Sequence, residues 1–343
     1  MKFDTSLISQ NLSDMPAFAK AADEMGFDGI WMSETNSDPF LQLTLAAEHT
    51  KSAELGTAIA VAFPRSPTTL AQIGYDLARL SGGRFIMGLG TQVRAHNERR
   101  FGVKWEKPVR KLRETIEAMH AVWETWETGK QLNYEGEFFQ LNLMTPFFSP
   151  PPLKMPRPQI YISAVNKLML KLVGKRCDGA HLHAFHTKKY FEEFAVPHIE
   201  SGLAQEGRDR SELALTSGVF VVPTNSAAEA AEYEAFCRQQ ISFYMSTPAY
   251  RIVTEIHGWE DTAFKLSKLA RKGEWEEMPK LITDEILDEI ALSGTWAELP
   301  QKVHNRYGSI LDRVSYYMPF EPGKSDEGWH ASVRGFAALK NTE

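Results

Sequence analysis

The chain has 343 residues, 43% of them hydrophobic and 24% charged, with a formal net charge of −6 at pH 7. This composition supports a packed core, and scattered lysine and arginine give no basic face for nucleic acid. No apolar run approaches the ~20 residues of a membrane span, the N-terminus does not resemble a signal peptide, and only two cysteines are present, so we expect a cytoplasmic protein.

Strand-like and helical segments alternate along most of the chain. Helices are predicted at about 12–25, 40–51, 67–83, 110–130, 226–245 and 295–307 from the three-to-four-residue spacing of apolar positions and from proline and glycine at their ends. A small hairpin is expected around Glu135-Gly136. Eight short apolar runs are predicted strands: 2–8, 27–34, 53–63, 84–90, 159–164, 178–185, 212–222 and 312–320.

Eight strands separated by helices predict a (β/α)8 TIM barrel with insertions. The apolar runs lack strict alternation, which is typical of parallel strands that are buried on both faces. A doubly wound open sheet is the alternative, because strand count alone does not exclude it. We expect one domain over 1–343, with an irregular insertion at about 246–285 that serves as a lid or faces another subunit.

The stretch "GGRFIMGLGTQVRAHNERRFG", residues 82–102, contains a glycine pair that resembles the start of a dinucleotide fingerprint. That fingerprint requires a third glycine at the turn into a helix, and Val93 occupies that position. It also belongs to the first βα unit, whereas this pair follows the fourth predicted strand. On a barrel, Gly88 and Gly90 lie instead where active sites open, and we expect them to let a flat ring approach the backbone.

Five segments in order resemble the bacterial luciferase-like flavin and deazaflavin oxidoreductases. They are "AADEMGFDGIWMSE", "ELGTAIAVAFPRSPTTLAQ", "LSGGRFIMGLGTQ", "PQIYISAVN" and "CDGAHLHAF", and together they span most of the chain. Further details, "ETNSDPF", "RRFG", "FYMSTPAYR" and "HGW", resemble the branch that depends on coenzyme F420, a 5-deazaflavin. The resemblance implies an oxidoreductase with F420, or alternatively FMN as in a luciferase-like monooxygenase, at the barrel mouth.

The resemblance also implies where the cofactor is held. It implies a non-prolyl cis peptide at the end of the third strand, most simply between Ala58 and Ile59, that supports the back of the ring. The phosphate is expected at the turn from Ser163 to Asn166, where backbone N–H groups and a helix N-terminus point at the anion. The alternative function of Asn166 is simple capping of that helix. The implied cofactor-binding residues are Ala58, Ile59, Gly90, Thr91, Gln92, Ser163, Ala164, Val165 and Asn166.

Three residues are candidates for the chemistry. Glu34 follows the second strand, where the sugar-phosphate branch of the family has an acidic residue before a histidine; here Thr35 replaces that histidine, so a sugar phosphate is a poor substrate candidate. Glu34 is a candidate proton carrier or a structural carboxylate. His96 follows the fourth strand near the expected ring. The resemblance implies that His183, at the end of the sixth strand, is a pocket residue, and the alternative is that His181 and His183 are satisfied core histidines. Four residues of the insertion are candidates to close over the substrate: Tyr250, Arg251, His257 and Trp259. Aromatic residues that pack the insertion down or form a subunit interface are the alternative.

Two other classes of function stay open at this point. His181 and His183 alternate to the same side of one strand, a spacing that a metal-dependent hydrolase can use, but no matching set of further ligands is apparent. A non-enzymatic binding barrel is the other alternative. For the oxidoreductase, the expected partners are a small organic substrate and a second copy of the chain in a homodimer.

Overall fold

The computed structural model describes residues 1–9 and 11–340. Eight parallel strands close into a barrel in the order β1, β2, β3, β5, β8, β9, β10 and β12, and β12 pairs with β1 through Phe3 and Val314. The strands are β1 (Lys2–Ser6), β2 (Gly29–Met32), β3 (Glu54–Thr57), β4 (Ala60–Val61), β5 (Phe85–Gly90), β6 (Tyr134–Glu135), β7 (Gln140–Leu141), β8 (Gln159–Ala164), β9 (Gly179–Leu182), β10 (Ala214–Pro223), β11 (Ala291–Gly294) and β12 (Arg313–Tyr316).

Helices surround the barrel, and their boundaries follow from local chemistry. In the third helix Pro67 is the first residue, and the side chain of Ser66 accepts a hydrogen bond from the Thr69 N–H. The helices are α1 (Met15–Met25), α2 (Pro39–His49), α3 (Pro67–Leu80), α4 (Arg94–Arg99), α5 (Pro108–Thr128), α6 (Lys167–Arg176), α7 (Lys188–Tyr190), α8 (Val196–Glu206), α9 (Ala227–Met245), α10 (Arg251–His257), α11 (Glu260–Lys272), α12 (Asp284–Ile290), α13 (Leu299–Tyr307) and α14 (Asp326–Lys340).

The strands are buried on both faces, so the molecule has two packed layers. On the outer layer Phe3 of β1 stacks on Phe336 of α14, with ring centroids 4.3 Å apart. Inside the barrel, Trp31, Ile86 and Tyr161 form a separate cluster. This arrangement explains why the strands read as continuous apolar runs.

The barrel prediction is confirmed, and the open-sheet alternative is wrong because β12 pairs with β1. The hairpin is also present, since β6 pairs antiparallel with β7. Two details differ. The segment at 246–285 is not irregular: it holds α10, α11 and the start of α12, whose apolar residues pack against α9 and the barrel. A further parallel strand, β11, pairs with the outer end of β10. Within the described residues, no helix is long and apolar enough to cross a membrane.

Candidate active site

A cavity of about 700 Å³ opens at the carboxyl ends of the barrel strands. Every one of the eight barrel strands, or the residues directly after it, contributes to the wall. The predicted residues that line it are Ala58, Ile59, Thr91, Ser163, Ala164, Val165, Asn166 and His183. The carboxyl ends of parallel strands meet at one face, which is why residues far apart in the chain share this cavity.

The peptide bond between Ala58 and Ile59 is cis, as predicted. Its surroundings are hydrogen-bonded on both sides. The Ser33 hydroxyl donates to the Ala58 carbonyl at 2.7 Å, and the Glu34 N–H donates to the Ile59 carbonyl at 3.2 Å. The Val61 N–H in turn donates to the Glu34 carboxylate at 2.7 Å. The residues after β2 therefore hold the bulge between β3 and β4 in the cavity wall.

The structure gives Glu34 a different setting from the one expected for a proton carrier. Its carboxylate is 8% exposed and pairs with Arg65 at 2.8 Å, while Arg65 also binds Asp38 at 2.7 Å. Glu34 does not line the cavity. Because its oxygens are engaged by Arg65 and the Val61 N–H, Glu34 is placed to support the bulge rather than to reach a substrate.

His96 also lies away from the cavity. It is an exposed residue of α4, and it does not contribute to the wall. Sequence proximity to β5 suggested a position near the ring. The helix α4 stays beside the mouth, since Arg100 donates to the carbonyl of the wall residue Thr35 at 2.8 Å, but the side chain of His96 is on an exposed face of α4.

The two glycines of β5, Gly88 and Gly90, allow neighbouring parts of the barrel wall to pack closely against β5. A Cβ at Gly88 would lie 1.7 Å from the Thr57 carbonyl oxygen, and the Gly88 N–H donates to the Thr57 hydroxyl at 2.8 Å. A Cβ at Gly90 would lie 2.5 Å from the Ile59 side chain. Neither glycine lines the cavity, so their small size is required by packing between strands, not by direct approach of a ring.

Gln92 is the other predicted cofactor residue outside the wall. Its backbone has a φ of 55°, and its side-chain oxygen accepts a hydrogen bond from the Val93 N–H at 2.9 Å. The side chain is therefore used within its own turn. Thr91, one residue earlier, does face the cavity.

The turn from Ser163 to Asn166 joins β8 to α6 at the cavity wall. Asn166 precedes α6 but makes no side-chain capping hydrogen bond, so the simple capping alternative is not what the structure contains. The Tyr190 hydroxyl donates to the Val165 carbonyl at 2.7 Å. Since C=O and N–H point in opposite directions across a trans peptide, this bond directs the Asn166 N–H away from Tyr190. An uncapped helix N-terminus of this kind fits a phosphate.

His181 of β9 and His183, the residue directly after β9, line the cavity. The Nε2 atom of His181 is buried without a hydrogen-bond partner within the described residues, and the His181 ring lies edge-on to Trp31 with centroids 4.8 Å apart. Nδ1 of His183 accepts the Phe185 N–H at 3.0 Å. Burial lowers the pKa of His181 to about 3 and that of His183 to about 4, so both rings are neutral at pH 7.

An aromatic sector beside His183 comes from distant parts of the chain. Of the four insertion residues that were candidates to close over the substrate, Tyr250 lines the cavity, and Arg251, His257 and Trp259 do not. Phe236 and Gln240 from α9 and Tyr317 after β12 complete the sector, and sequence reasoning missed all three. A helix such as α9 carries no pattern that marks the face it turns toward a barrel mouth. Tyr317 sits at a strand end, and that position was the one available signal.

Residues 2–313 match the family described as luciferase-like monooxygenase, and the chain belongs to this family. It is 43% identical over 339 residues to an uncharacterised protein of Mycobacterium tuberculosis, with 98% of each chain covered. It is 28% identical over 337 residues to a 5,10-methylenetetrahydromethanopterin reductase of Archaeoglobus fulgidus, with 94% of this chain and 95% of the reductase covered.

Solved structures share the fold along nearly the whole chain. The coenzyme F420 dependent tetrahydromethanopterin reductase from Methanopyrus kandleri superposes with a TM-score of 0.79 at 21% identity, covering 98% of this chain and 99% of that one. A type II Baeyer–Villiger monooxygenase of Pseudomonas putida in complex with FMN gives 0.71 at 16% identity, with 98% of both chains covered. The reductases and the monooxygenase named here are oxidoreductases, which supports an oxidoreductase.

Proposed function

We propose that the protein is an oxidoreductase that transfers a hydride between coenzyme F420 and a small organic substrate in the cavity at the barrel mouth. One observation carries the proposal. The supported bulge at Ala58-Ile59 and the uncapped turn at 163–166 lie in the wall of the same cavity. The resemblance to the family implies that the first supports the back of a flat ring, and an uncapped helix start suits a phosphate, so together they suit a ring joined to a phosphate-bearing chain.

Each part of the wall then has a task. Backbone N–H groups of Val165 and Asn166, together with the start of α6, would hold the phosphate, and Thr91 and the bulge would contact the ring. Nε2 of His181 is buried toward the Thr57 carbonyl and Gly88, so His181 would shape the cavity wall beside Trp31 and not contact the bound ring. When bound, the cofactor supplies the hydride chemistry, and the protein supplies position.

His183 is the residue best placed to serve the substrate. It lines the cavity, whereas the carboxylate of Glu34 is held by Arg65 and His96 lies outside. We therefore keep His183 as the candidate that contacts substrate and assign Glu34 to positioning of the bulge. His96 has no role in this proposal.

FMN is the alternative cofactor, in a luciferase-like monooxygenase. The observation that favours it is the close superposition on a monooxygenase in complex with FMN. Both cofactors carry a phosphate on a ribityl chain, so the turn at 163–166 suits either. F420 is preferred because the F420-dependent reductase superposes more closely than the FMN-bound monooxygenase, with a TM-score of 0.79 against 0.71 and an identity of 21% against 16%.

A metal-dependent hydrolase is not supported. Within residues 1–9 and 11–340, no group of three histidine, cysteine, aspartate or glutamate side chains could hold a metal ion. The pair His181 and His183 shares the cavity, but no carboxylate joins it. The homodimer and the cytoplasmic location remain predictions, and light scattering of the purified protein would test the first.

The decisive experiment is a titration of F420 and of FMN side by side, followed by cofactor absorbance and fluorescence. We expect F420 to bind at micromolar concentrations and FMN to bind more weakly. Tighter binding of FMN would favour the monooxygenase. If neither cofactor binds at micromolar concentrations, the proposed function is wrong.

A matched pair of variants tests the phosphate turn. Tyr190→Phe removes the hydrogen bond that orients the 165–166 peptide, and the loss of one such bond typically costs ~1 kcal/mol, or about a fivefold weakening of cofactor binding. Tyr134→Phe is the control, because Tyr134 lies in the β6–β7 hairpin outside the cavity and binds Glu117. Equal affinities of the two variants would remove the turn from the proposal.

A further inference from the structure

The wall of the mouth cavity carries no formal charge. Among residues 1–9 and 11–340, no aspartate, glutamate, lysine or arginine lines it. Its polar groups are hydroxyls, side-chain amides and two imidazoles. Three ionic side chains are directly adjacent in sequence to wall residues: Glu34, Lys167 and Arg251. None of the three lines the cavity, and Glu34 pairs with Arg65.

The imidazoles do not supply a charge either, because burial keeps the rings of His181 and His183 neutral at pH 7. An ionised ligand that enters such a cavity loses water and gains no counter-ion, which is strongly unfavourable. The helix N-terminus of α6 attracts an anion only within its first turn, at 163–166. In the sector formed by His183, Tyr250 and Tyr317, the nearest source of positive potential is the start of the short helix α10 after Tyr250. The side chain of Arg251 lies in a separate pocket with Glu255 and Glu260 and not in the cavity wall.

His183 presents a fixed donor in that sector. Because its Nδ1 accepts the Phe185 N–H, the proton of the neutral ring resides on Nε2. The ring packs against Tyr250, with centroids 4.2 Å apart, and against Tyr244 at 4.4 Å. The Tyr244 hydroxyl is hydrogen-bonded to the Tyr317 hydroxyl, which ties this packing to the strand end after β12. A ring held on both sides is a preorganised hydrogen-bond donor.

We infer that the substrate is a small uncharged molecule with an apolar or aromatic body and an oxygen that accepts a hydrogen bond from His183, and that anionic substrates are excluded from this sector. The inference rests on the proposed function, since it names the substrate class of the same cavity. Phe236 and Tyr250 offer apolar surface for the body of such a molecule, and Gln240 offers a second neutral polar contact.

Benzamide and benzoate test the inference, because they have nearly the same shape and only benzoate is charged at neutral pH. Both are titrated by calorimetry into the protein saturated with whichever cofactor binds, and into the protein alone if neither does. We expect benzamide to bind at least about tenfold more tightly than benzoate. Equal affinities, tighter binding of benzoate, or no binding of benzamide up to millimolar concentrations would each overturn the inference.

Two variants locate the effect. His183→Phe keeps a ring between the tyrosines and removes the donor, so benzamide should bind about threefold to tenfold more weakly. His49→Phe, at the exposed end of α2 and outside the cavity, is the matched control and should change nothing. Unchanged benzamide binding by His183→Phe, with a melting temperature near that of the wild type, would overturn the role of His183.

Gln240→Lys is an independent test of the role of charge, because it places a cation in the cavity wall. We expect benzoate affinity to rise by at least about tenfold relative to the wild type. If benzoate affinity does not rise in a folded Gln240→Lys variant, the absence of charge in the wall does not explain the preference for uncharged ligands. The cofactor titration separates the two proposals: if F420 or FMN binds and the probes do not differ, only the substrate class is wrong, whereas failure of both cofactors ends the proposed function.

Discussion

The two ends of the barrel differ in whether they contain buried charged side chains. Toward the amino ends of the strands, Arg313 is 3% exposed and donates to both oxygens of the fully buried Asp4, at 2.8 and 2.9 Å. Arg313 also pairs with Glu54, which accepts a hydrogen bond from Lys2 at 2.7 Å. At the carboxyl ends, the cavity wall within the described chain has no charged side chain.

The difference shows what each end is built to hold. Charges are buried where the chain supplies their partners in fixed geometry, because an unpaired buried charge is costly. The cavity must instead accept groups that arrive with the ligand, and a neutral wall favours neutral ones. Trp31 connects the two ends: its indole N–H donates to Asp4 at 3.0 Å, and the residue lines the cavity. The ionic cluster therefore fixes one part of the cavity wall.

Breaking the ionic cluster should have the largest effect. Arg313→Met leaves Asp4 buried without its partner, and we expect the free energy of unfolding to fall by about 3–5 kcal/mol. Denaturant titration measures this loss. Arg94→Met is the control, since Arg94 forms an exposed pair with Glu98, and its loss should stay below about 1 kcal/mol. Similar losses in the two variants would mean that the buried cluster contributes no more than a surface pair.

A substitution of Glu34 shows whether this carboxylate beside the mouth is a proton carrier or supports the bulge at Ala58-Ile59. Glu34→Gln weakens the contacts to Arg65 and the Val61 N–H, so we expect the free energy of unfolding to fall by about 1.5–3 kcal/mol and cofactor binding to weaken. Glu98→Gln, on the exposed side of α4, is the control. A fall in turnover of ~10²–10⁴-fold with unchanged stability and cofactor affinity would return Glu34 to the role of proton carrier.

The smallest expected effect is a pH dependence of stability from Glu54. Burial raises the pKa of Glu54, but Arg313 and Lys2 outweigh burial and hold the pKa below its ordinary value of 4.5. The folded state therefore releases this proton more readily than the unfolded chain. The resulting stability is fully present above the ordinary value and is lost as the pH falls through the lowered one.

Unfolding titrations at a series of pH values, from neutral down to below that ordinary value, measure the dependence. Glu54→Gln should lose less stability over this range than the wild type. Glu48→Gln, at an exposed position of α2, should follow the wild type. A variant at Glu54 that loses stability as steeply as the wild type would show that this carboxylate does not contribute.

The sequence by itself determined the barrel and much of its mouth. Apolar runs that alternate with helices fix the order of the strands, and a parallel barrel brings the ends of those strands to one face. The resemblance to the family then placed Ala58, Ser163 and His183, which all lie at strand ends, at the site and located the cis peptide. These features depend on the order of elements, which a linear pattern carries.

Only the tertiary structure decided which side chains face the cavity and which support it. Glu34 pairs with Arg65, thirty-one residues away in sequence, and no local pattern announces that contact. Gly88 is small because the Thr57 carbonyl lies against it, and the aromatic sector joins α9, the insertion and the end of β12. Side-chain direction, pairing and burial depend on neighbours that are distant along the chain, so the neutrality of the cavity wall becomes visible only when the barrel is closed.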